Sequence, residues 1–189
     1  MYIAIEGIDT AGKSTQITKI AQHYPDAIIT KEPGATEAGK LIRDIVLSAK
    51  TKSVKAEFLL FLADRAEHMT EVIEPNLHKM IVSDRSVVSG VAYALAQDKL
   101  NQTAILHLNE FATNGIYPDK VFLLQLTKEE LKYRLSQKEL DGIELRGVEY
   151  LLKIQDAIIE ATNLLNIELV SIDASKNIDE ITAEILNNI

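Results

Sequence analysis

Two glycines, a lysine and a serine recur at the spacing G-x-x-x-x-G-K-[ST] in Gly7-Ile8-Asp9-Thr10-Ala11-Gly12-Lys13-Ser14. The chemistry these residue types suit is the cradling of a polyphosphate. Gly7 and Gly12 admit backbone angles that a Cβ forbids and let the main chain approach phosphate oxygens. Lys13 supplies a point charge for the β- and γ-phosphates, and Ser14 a hydroxyl oxygen for Mg²⁺. The stretch from Gly7 to Ser14 is therefore read as a nucleoside triphosphate site with Mg²⁺ beside the phosphates.

Such a loop works only between a strand and a helix, because backbone N–H groups and a helix N-terminus must aim at the anion. Met1 to Ile5 is a short apolar run that reads as a buried strand, and Lys13 to Tyr24 as a helix with Ile17, Ile20 and Ala21 on one stripe. Further strands are expected at 27–30, 80–83, 120–126 and 167–172. Helices are expected from Thr36 onward, from Ser53 towards Pro75, after Arg85, and over 101–114, 128–137, 149–165 and 178–189. Apolar stripes are assigned to Leu41, Ile42, Ile45 and Val46; to Ala56, Leu59, Leu60 and Ala63; and to Ala104, Ile105, Leu108, Phe111 and Ala112. Strands alternating with helices imply a parallel sheet covered on both faces. The expectation is one domain over residues 1–189, of α/β class, a three-layer P-loop NTPase fold on five parallel strands. The polar stretch near 134–147 is its expected lid.

A phosphate loop joined to a second, cation-rich site makes a phosphoryl transferase. The candidate cations are Lys31, Arg43, Arg65, Arg85, Arg134 and Lys138. Asp84 and Arg85 end the third strand, at the edge where open α/β sheets bind ligands. Asp84 can hold Mg²⁺ through water, or it can be the N-cap of the following helix.

Several stretches together resemble the bacterial thymidylate kinases. They are Ile5 to Ser14, Lys31-Glu32-Pro33-Gly34-Ala35-Thr36, Leu60-Phe61-Leu62-Ala63-Asp64-Arg65, Ser83-Asp84-Arg85 with Ser89 and Ala92-Tyr93, and Leu108 to Asp119. The resemblance implies ATP-dependent phosphorylation of dTMP to dTDP, for dTTP synthesis, by a homodimer. It implies that Asp9 approaches the sugar 3′-hydroxyl, Phe61 stacks on thymine, Arg65 reads the base and Arg85 holds the dTMP phosphate. Arg43 is expected to line the dTMP pocket, and Tyr93 to crowd the 2′ position. Lys13, Asp9, Arg85 and Arg134 form the expected catalytic set. Taken without the resemblance, Asp9 is equally a turn former, Phe61 a core aromatic and Arg65 a solvated helix-face cation.

The chain departs from the family at Ser86, where a bulky residue is common, and at Ala94, where glutamine is common. Thymine recognition is therefore expected to rest more on Arg65 and Ser89. Thr10 is not basic and Gly142 stands where a lid arginine is expected, which leaves Arg134 and Lys138 as the evident lid cations. The rivals are a kinase for another small phosphate acceptor and a nucleotide-binding switch. An Asn-Lys-x-Asp guanine-reading motif is absent, which disfavours a GTPase.

Composition narrows the classes further. A formal net charge of −8 over 189 residues argues against broad nucleic-acid or anionic-membrane binding. There is no cysteine, hence neither a disulfide nor a thiolate metal site. With no signal-like segment and no membrane-length apolar run, the expected compartment is the cytoplasm. The first long helix pair, Ser53 to Ile73 and the helix after Arg85, is more apolar than one-sided burial requires. A dimer packed through those helices is expected.

Overall fold

The computed structural model describes residues 1–48, 51–137 and 147–189. The chain runs through β1 (Tyr2–Glu6), α1 (Lys13–His23), β2 (Ile28–Lys31), α2 (Glu37–Leu47) and α3 (Val54–His68). A π-helical turn (Met69–Ile73) and α4 (Glu74–Asn76) lead to β3 (Ile81–Asp84), α5 (Val87–Ala96) and α6 (Gln102–Thr113). β4 (Lys120–Gln125), α7 (Lys128–Leu135), α8 (Val148–Leu164), β5 (Glu168–Asp173) and α9 (Ile178–Leu186) complete it. Lys138, Gly142 and most of the expected lid, 138–146, lie outside the described residues.

The five strands pair in parallel in the order β2-β3-β1-β4-β5. β1, at the centre, is buried along its whole length, which is why its sequence is apolar without alternation. Helices cover both faces of the sheet in two groups. One is α1 with α9; the other is α5 with α8, extended by α3 and α6.

Local chemistry places most boundaries within one or two residues of expectation. Thr36, Ser53, Asn101 and Thr127 each accept a backbone N–H three residues on and so start α2, α3, α6 and α7. At the end of α6 the left-handed turn begins at Asn114, φ 52°, one residue before the expected Gly115. The long helix expected from Ser53 to Pro75 is interrupted by the π-helical turn at 69–73. Pro75 has no N–H to continue an α-helical ladder, and the wider turn precedes it.

Three expected apolar stripes are only partly buried. Ala56, Leu59 and Ala63 of α3 face outward, while Phe58, Leu62 and Met69 face the core. Leu41 and Ile45 of α2 and Leu108 and Phe111 of α6 are likewise exposed, Phe111 at 82%. α5 behaves in the opposite way. Val87, Val88, Val91, Ala92, Ala94 and Ala96 are all buried within this one chain, packed largely against α8. Its apolar composition is thus satisfied internally, contrary to the expectation that it serves a dimer.

Strand register assembles the site. Ile5 on β1 pairs with Asp84 on β3, and Lys31 on β2 also pairs with Asp84. The segments leaving β1, β2 and β3 therefore emerge side by side, bringing Gly7, Glu32 and Arg85 to one edge of the sheet.

Candidate active site

The phosphate loop joins β1 to α1. Gly12 takes φ 98° as the residue preceding α1, a left-handed angle suited to glycine. At Gly7 a Cβ would come within 2.9 Å of the Leu124 carbonyl oxygen, so the loop hugs β4. Lys13 is 8% exposed. Its Nζ donates to the carbonyls of Gly7 and Ile8, at 3.1 Å each, and lies 3.8 Å from Asp9 Oδ1. Burial, reinforced by the neighbouring Arg85, lowers its pKa to about 8. Thr10 adopts φ 69°, a left-handed angle rare for a β-branched residue, and its buried hydroxyl lacks a partner among the described residues.

Arg85 joins the third strand to this loop. Its Nη2 donates to Asp9 Oδ1 at 2.7 Å, and its Nη1 donates to Gly7 O and Ser89 Oγ, both at 3.2 Å. Beneath it lies Glu6, fully buried, which accepts from the hydroxyls of Ser86 and Ser89 and from the Ser89 N–H. Burial raises the Glu6 carboxyl above its ordinary value, against the pull of Arg85. Because Ser89 gives its proton to Glu6, its oxygen is left to accept from Arg85. Ser89 therefore sits as a prop for Arg85; its proton is committed and is not a free donor for a base. The Tyr93 ring centroid lies 5.7 Å from Arg85 Cζ, and the buried Tyr93 hydroxyl has no partner among the described residues.

Arg65 is not a solvated cation; it is 3% exposed. Nε donates to Glu32 Oε2 at 3.0 Å, Nη1 to Asn109 Oδ1 at 2.7 Å and Nη2 to the Ser86 carbonyl at 3.4 Å. Nη2 also lies 2.8 Å from Glu32 Oε2. The second Glu32 oxygen is 2.9 Å from His68 Nδ1, whose Nε2 is 2.7 Å from Thr30 Oγ1. A carboxylate accepts only, so Nδ1 carries the proton. Burial alone would raise Glu32, but the Arg65 charge and the His68 hydrogen bond outweigh it and bring its pKa down to about 2. One turn earlier on α3, Phe61 is half-buried, while Phe58 and Leu62 fill the core positions. Phe61 thus presents a face on the same side of the helix as Arg65.

The remaining cations divide. Arg43 bridges from α2 to the Pro33 carbonyl at 3.0 Å, against the loop that carries Glu32. Lys31 ends β2 with its side chain exposed. Arg134 is engaged on three sides. Its Nε meets Glu130 at 2.7 Å, Nη1 the Thr10 carbonyl at 3.0 Å and Nη2 the Ala174 carbonyl at 2.6 Å. Arg134 thus ties α7 to the tip of the phosphate loop and to the turn after β5.

Two oxygen donors suited to Mg²⁺ stand at the ends of β3 and the phosphate loop, Asp84 and Ser14. Ser86, not Asp84, caps α5, its Oγ accepting from the Val88 N–H. Asp84 is therefore free of that duty, and its Oδ1 is buried without a partner among the described residues. It lies close enough to Lys13 to support that ammonium's charge. A carboxylate oxygen in need of a partner and the Ser14 hydroxyl at the start of α1 are hard oxygen donors, which fits Mg²⁺ shared with phosphates and water.

Sequence reasoning assigns no role in the site to Glu6, Glu32, His68 or Asn109, and it marks Ser86 only as a departure from the family. Glu6 ends β1, His68 and Asn109 lie on α3 and α6, and Glu32 and Ser86 fall in the segments just after β2 and β3. The signal that distinguishes them is a polar side chain at a position of complete burial, which has meaning only once its partner is in view.

The thymidylate kinase family model matches residues 5–185. The thymidylate kinase of Sulfurimonas denitrificans is 80% identical over 189 residues, covering 100% of this chain and 99% of that protein. That of Wolinella succinogenes is 54% identical over 187 residues, covering 99% and 97%. The crystal structure of thymidylate kinase from Ehrlichia chaffeensis superposes with a TM-score of 0.78 at 23% identity, covering 100% of this chain and 97% of that one. That likeness is one of fold. Matched over nearly its whole length, and carrying the phosphate loop, Arg65 and Arg85 on adjoining elements, this chain belongs to the thymidylate kinase family.

Proposed function

We propose that the chain transfers the γ-phosphoryl group of ATP to dTMP, giving dTDP and ADP. One observation carries this reading beyond the family resemblance. The Arg85 guanidinium bonds both to Asp9 and to the Gly7 carbonyl of the phosphate loop. An acceptor phosphate held by Arg85 thus lies next to the loop that holds the donor phosphates.

The transfer needs little covalent help from a protein, and positioning with charge neutralisation dominates. Lys13 supplies positive charge to the transferring group; with a pKa of about 8 it remains largely protonated at neutral pH. Arg85 holds the acceptor phosphate in line, and Asp9, its partner, takes the sugar 3′-hydroxyl. The acceptor oxygen is already anionic, so no strong general base is required. Mg²⁺ held by Ser14 and Asp84 would neutralise charge on the β- and γ-phosphates. Phe61 stacks the base, Tyr93 crowds the 2′ position, and Arg43 closes the pocket from α2. Arg134 acts by bracing Thr10 and the phosphate loop.

Base choice follows from hydrogen-bond polarity. Thymine offers a carbonyl acceptor at position 4 where cytosine offers an amino donor. Arg65 has donors only and cannot shed its proton. A donor facing a donor in a dry pocket is costly, so dCMP is rejected.

Assembly as a homodimer is part of the same reading. α3 packs against both α2 and α6, and Leu41, Ile45, Leu59, Leu108 and Phe111 on these three helices are exposed. Apolar side chains grouped in this way favour cover by a second copy. Phe111→Glu is expected to convert the dimer to monomer in sedimentation. The expected compartment is the cytoplasm; no helix among the described residues is long and apolar enough to cross a membrane.

The deciding experiment is a coupled ADP assay across the nucleoside monophosphates. ADP release that depends on dTMP, with dCMP a poor substrate, is expected. ADP release without any acceptor, or preference for another monophosphate, would refute the proposal.

A further inference from the structure

Gly90 is the fourth residue of α5, in the helix interior, and its backbone takes no left-handed angle. Glycine is unfavourable in such a position, and nothing in the backbone conformation calls for it. Space does. A Cβ at residue 90 would stand 2.5 Å from Arg65 Nη2, 2.6 Å from Nη1 and 2.9 Å from Cζ. It would be nearer to both terminal nitrogens than to Cζ, so it would meet the guanidinium at its terminal edge.

A flexible arginine tip normally yields to such a contact at little cost. This one is held on its other sides by Glu32, Asn109 and the Ser86 carbonyl. Glu32 is itself fixed by His68. A retreat from residue 90 therefore breaks hydrogen bonds of a buried charge.

We infer that Gly90 is a specificity-determining position: its missing side chain is the seat of the Arg65 guanidinium, and any side chain there moves the base-reading cation out of register. The inference rests on the reading of Arg65 as the group that meets thymine. Gly90 is a positioning residue that acts through Arg65.

The test compares Gly90→Ala, Arg65→Ala and the double variant, with dTMP and dCMP as acceptors. Alanine is the better helix former, so a loss in Gly90→Ala does not come from the helix itself. Gly90→Ala is expected to raise the KM for dTMP about tenfold, the effect of one buried hydrogen bond. The dTMP-to-dCMP preference should narrow by a similar factor, while the KM for ATP stays unchanged. In the Arg65→Ala background the same substitution should cost nothing further, because its target is gone.

Two failures are distinguishable. If Arg65→Ala keeps the wild-type preference, Arg65 does not read the base, and both readings fall. If Arg65→Ala loses the preference but Gly90→Ala retains it together with a normal KM for dTMP, only the Gly90 inference is overturned. Should Gly90→Ala fail to fold, recovery of folding in the double variant supports the seat. Failure of both to fold rejects it.

Discussion

Arg65 and Arg85 both reach the start of α5, but the first is enclosed and the second is held open. Arg65 has a side-chain exposure of 4% and answers to Glu32, itself at 5%. Arg85 is at 16%, and its carboxylate partner Asp9 at 27%. A charge sealed from water must keep its counterion, because an uncompensated buried charge is very unfavourable. A charge at the mouth of a cleft can exchange one anion for another. The enclosed pair is therefore suited to a fixed hydrogen-bond pattern, which is what discrimination between bases needs. The open pair is suited to releasing Asp9 and accepting a phosphate.

The contrast can be broken most sharply at Arg85. Arg85→Ala is expected to reduce kcat/KM for dTMP by about 10³-fold, as for a lost transition-state donor, with little change in thermal stability. Steady-state kinetics together with a melting curve will check it. A variant that loses stability in step with activity would place Arg85 with Arg65 as a structural cation.

Glu32→Ala tests the closed side. It strands the buried Arg65 charge and is expected to cost about 3–5 kcal/mol of folding stability, read from urea unfolding. A cost near zero would mean that Arg65 is hydrated and that the two sides do not differ. The pH window supports the distinction. Glu32, with a pKa of about 2 in the fold, contributes stability present above its unfolded value and lost only as pH falls towards 2. Over the neutral range the closed pair should not titrate.

The smallest effect belongs to Lys13, on the open side. Its pKa is depressed to about 8 by burial. The unfolded chain thus binds more protons than the fold above that pH, so this residue makes folding stability rise between pH 8 and its unfolded value near 10.4. ATP binding has the opposite sign, since the triphosphate favours the ammonium. ATP affinity should weaken by up to about tenfold per pH unit above 8, with proton uptake on binding. Calorimetry in buffers of different ionisation enthalpy will detect that uptake. Binding without proton exchange at pH 8.5 would show that Lys13 keeps its proton throughout.

Legibility from sequence followed the range of the interactions. Ser53 starts α3 through a bond to Ala56, three residues away, and such caps are visible in a short window. The phosphate loop is contiguous, so its glycines, Lys13 and Ser14 announce themselves together. Phe61 is half-buried and outside the core cluster, which helical spacing does not reveal, since it cannot tell which neighbour will cover a side chain. The same limit explains Leu59 and Phe111, whose stripes face outward.

By itself, then, the sequence determined the alternation of strands and helices, the helix starts and the polyphosphate loop, because each rests on contacts within a turn or two. Only the tertiary structure decided what surrounds the two arginines. The partners of Arg65 lie 33, 44 and 21 residues away on separate segments, and Asp9 lies 76 residues from Arg85. The burial of Glu6 and Glu32, the cap at Ser86 that leaves Asp84 bare, and the seat at Gly90 belong to that same class. A charge's environment is the sum of groups brought together by strand register and helix packing, and no local stretch of chain contains that sum.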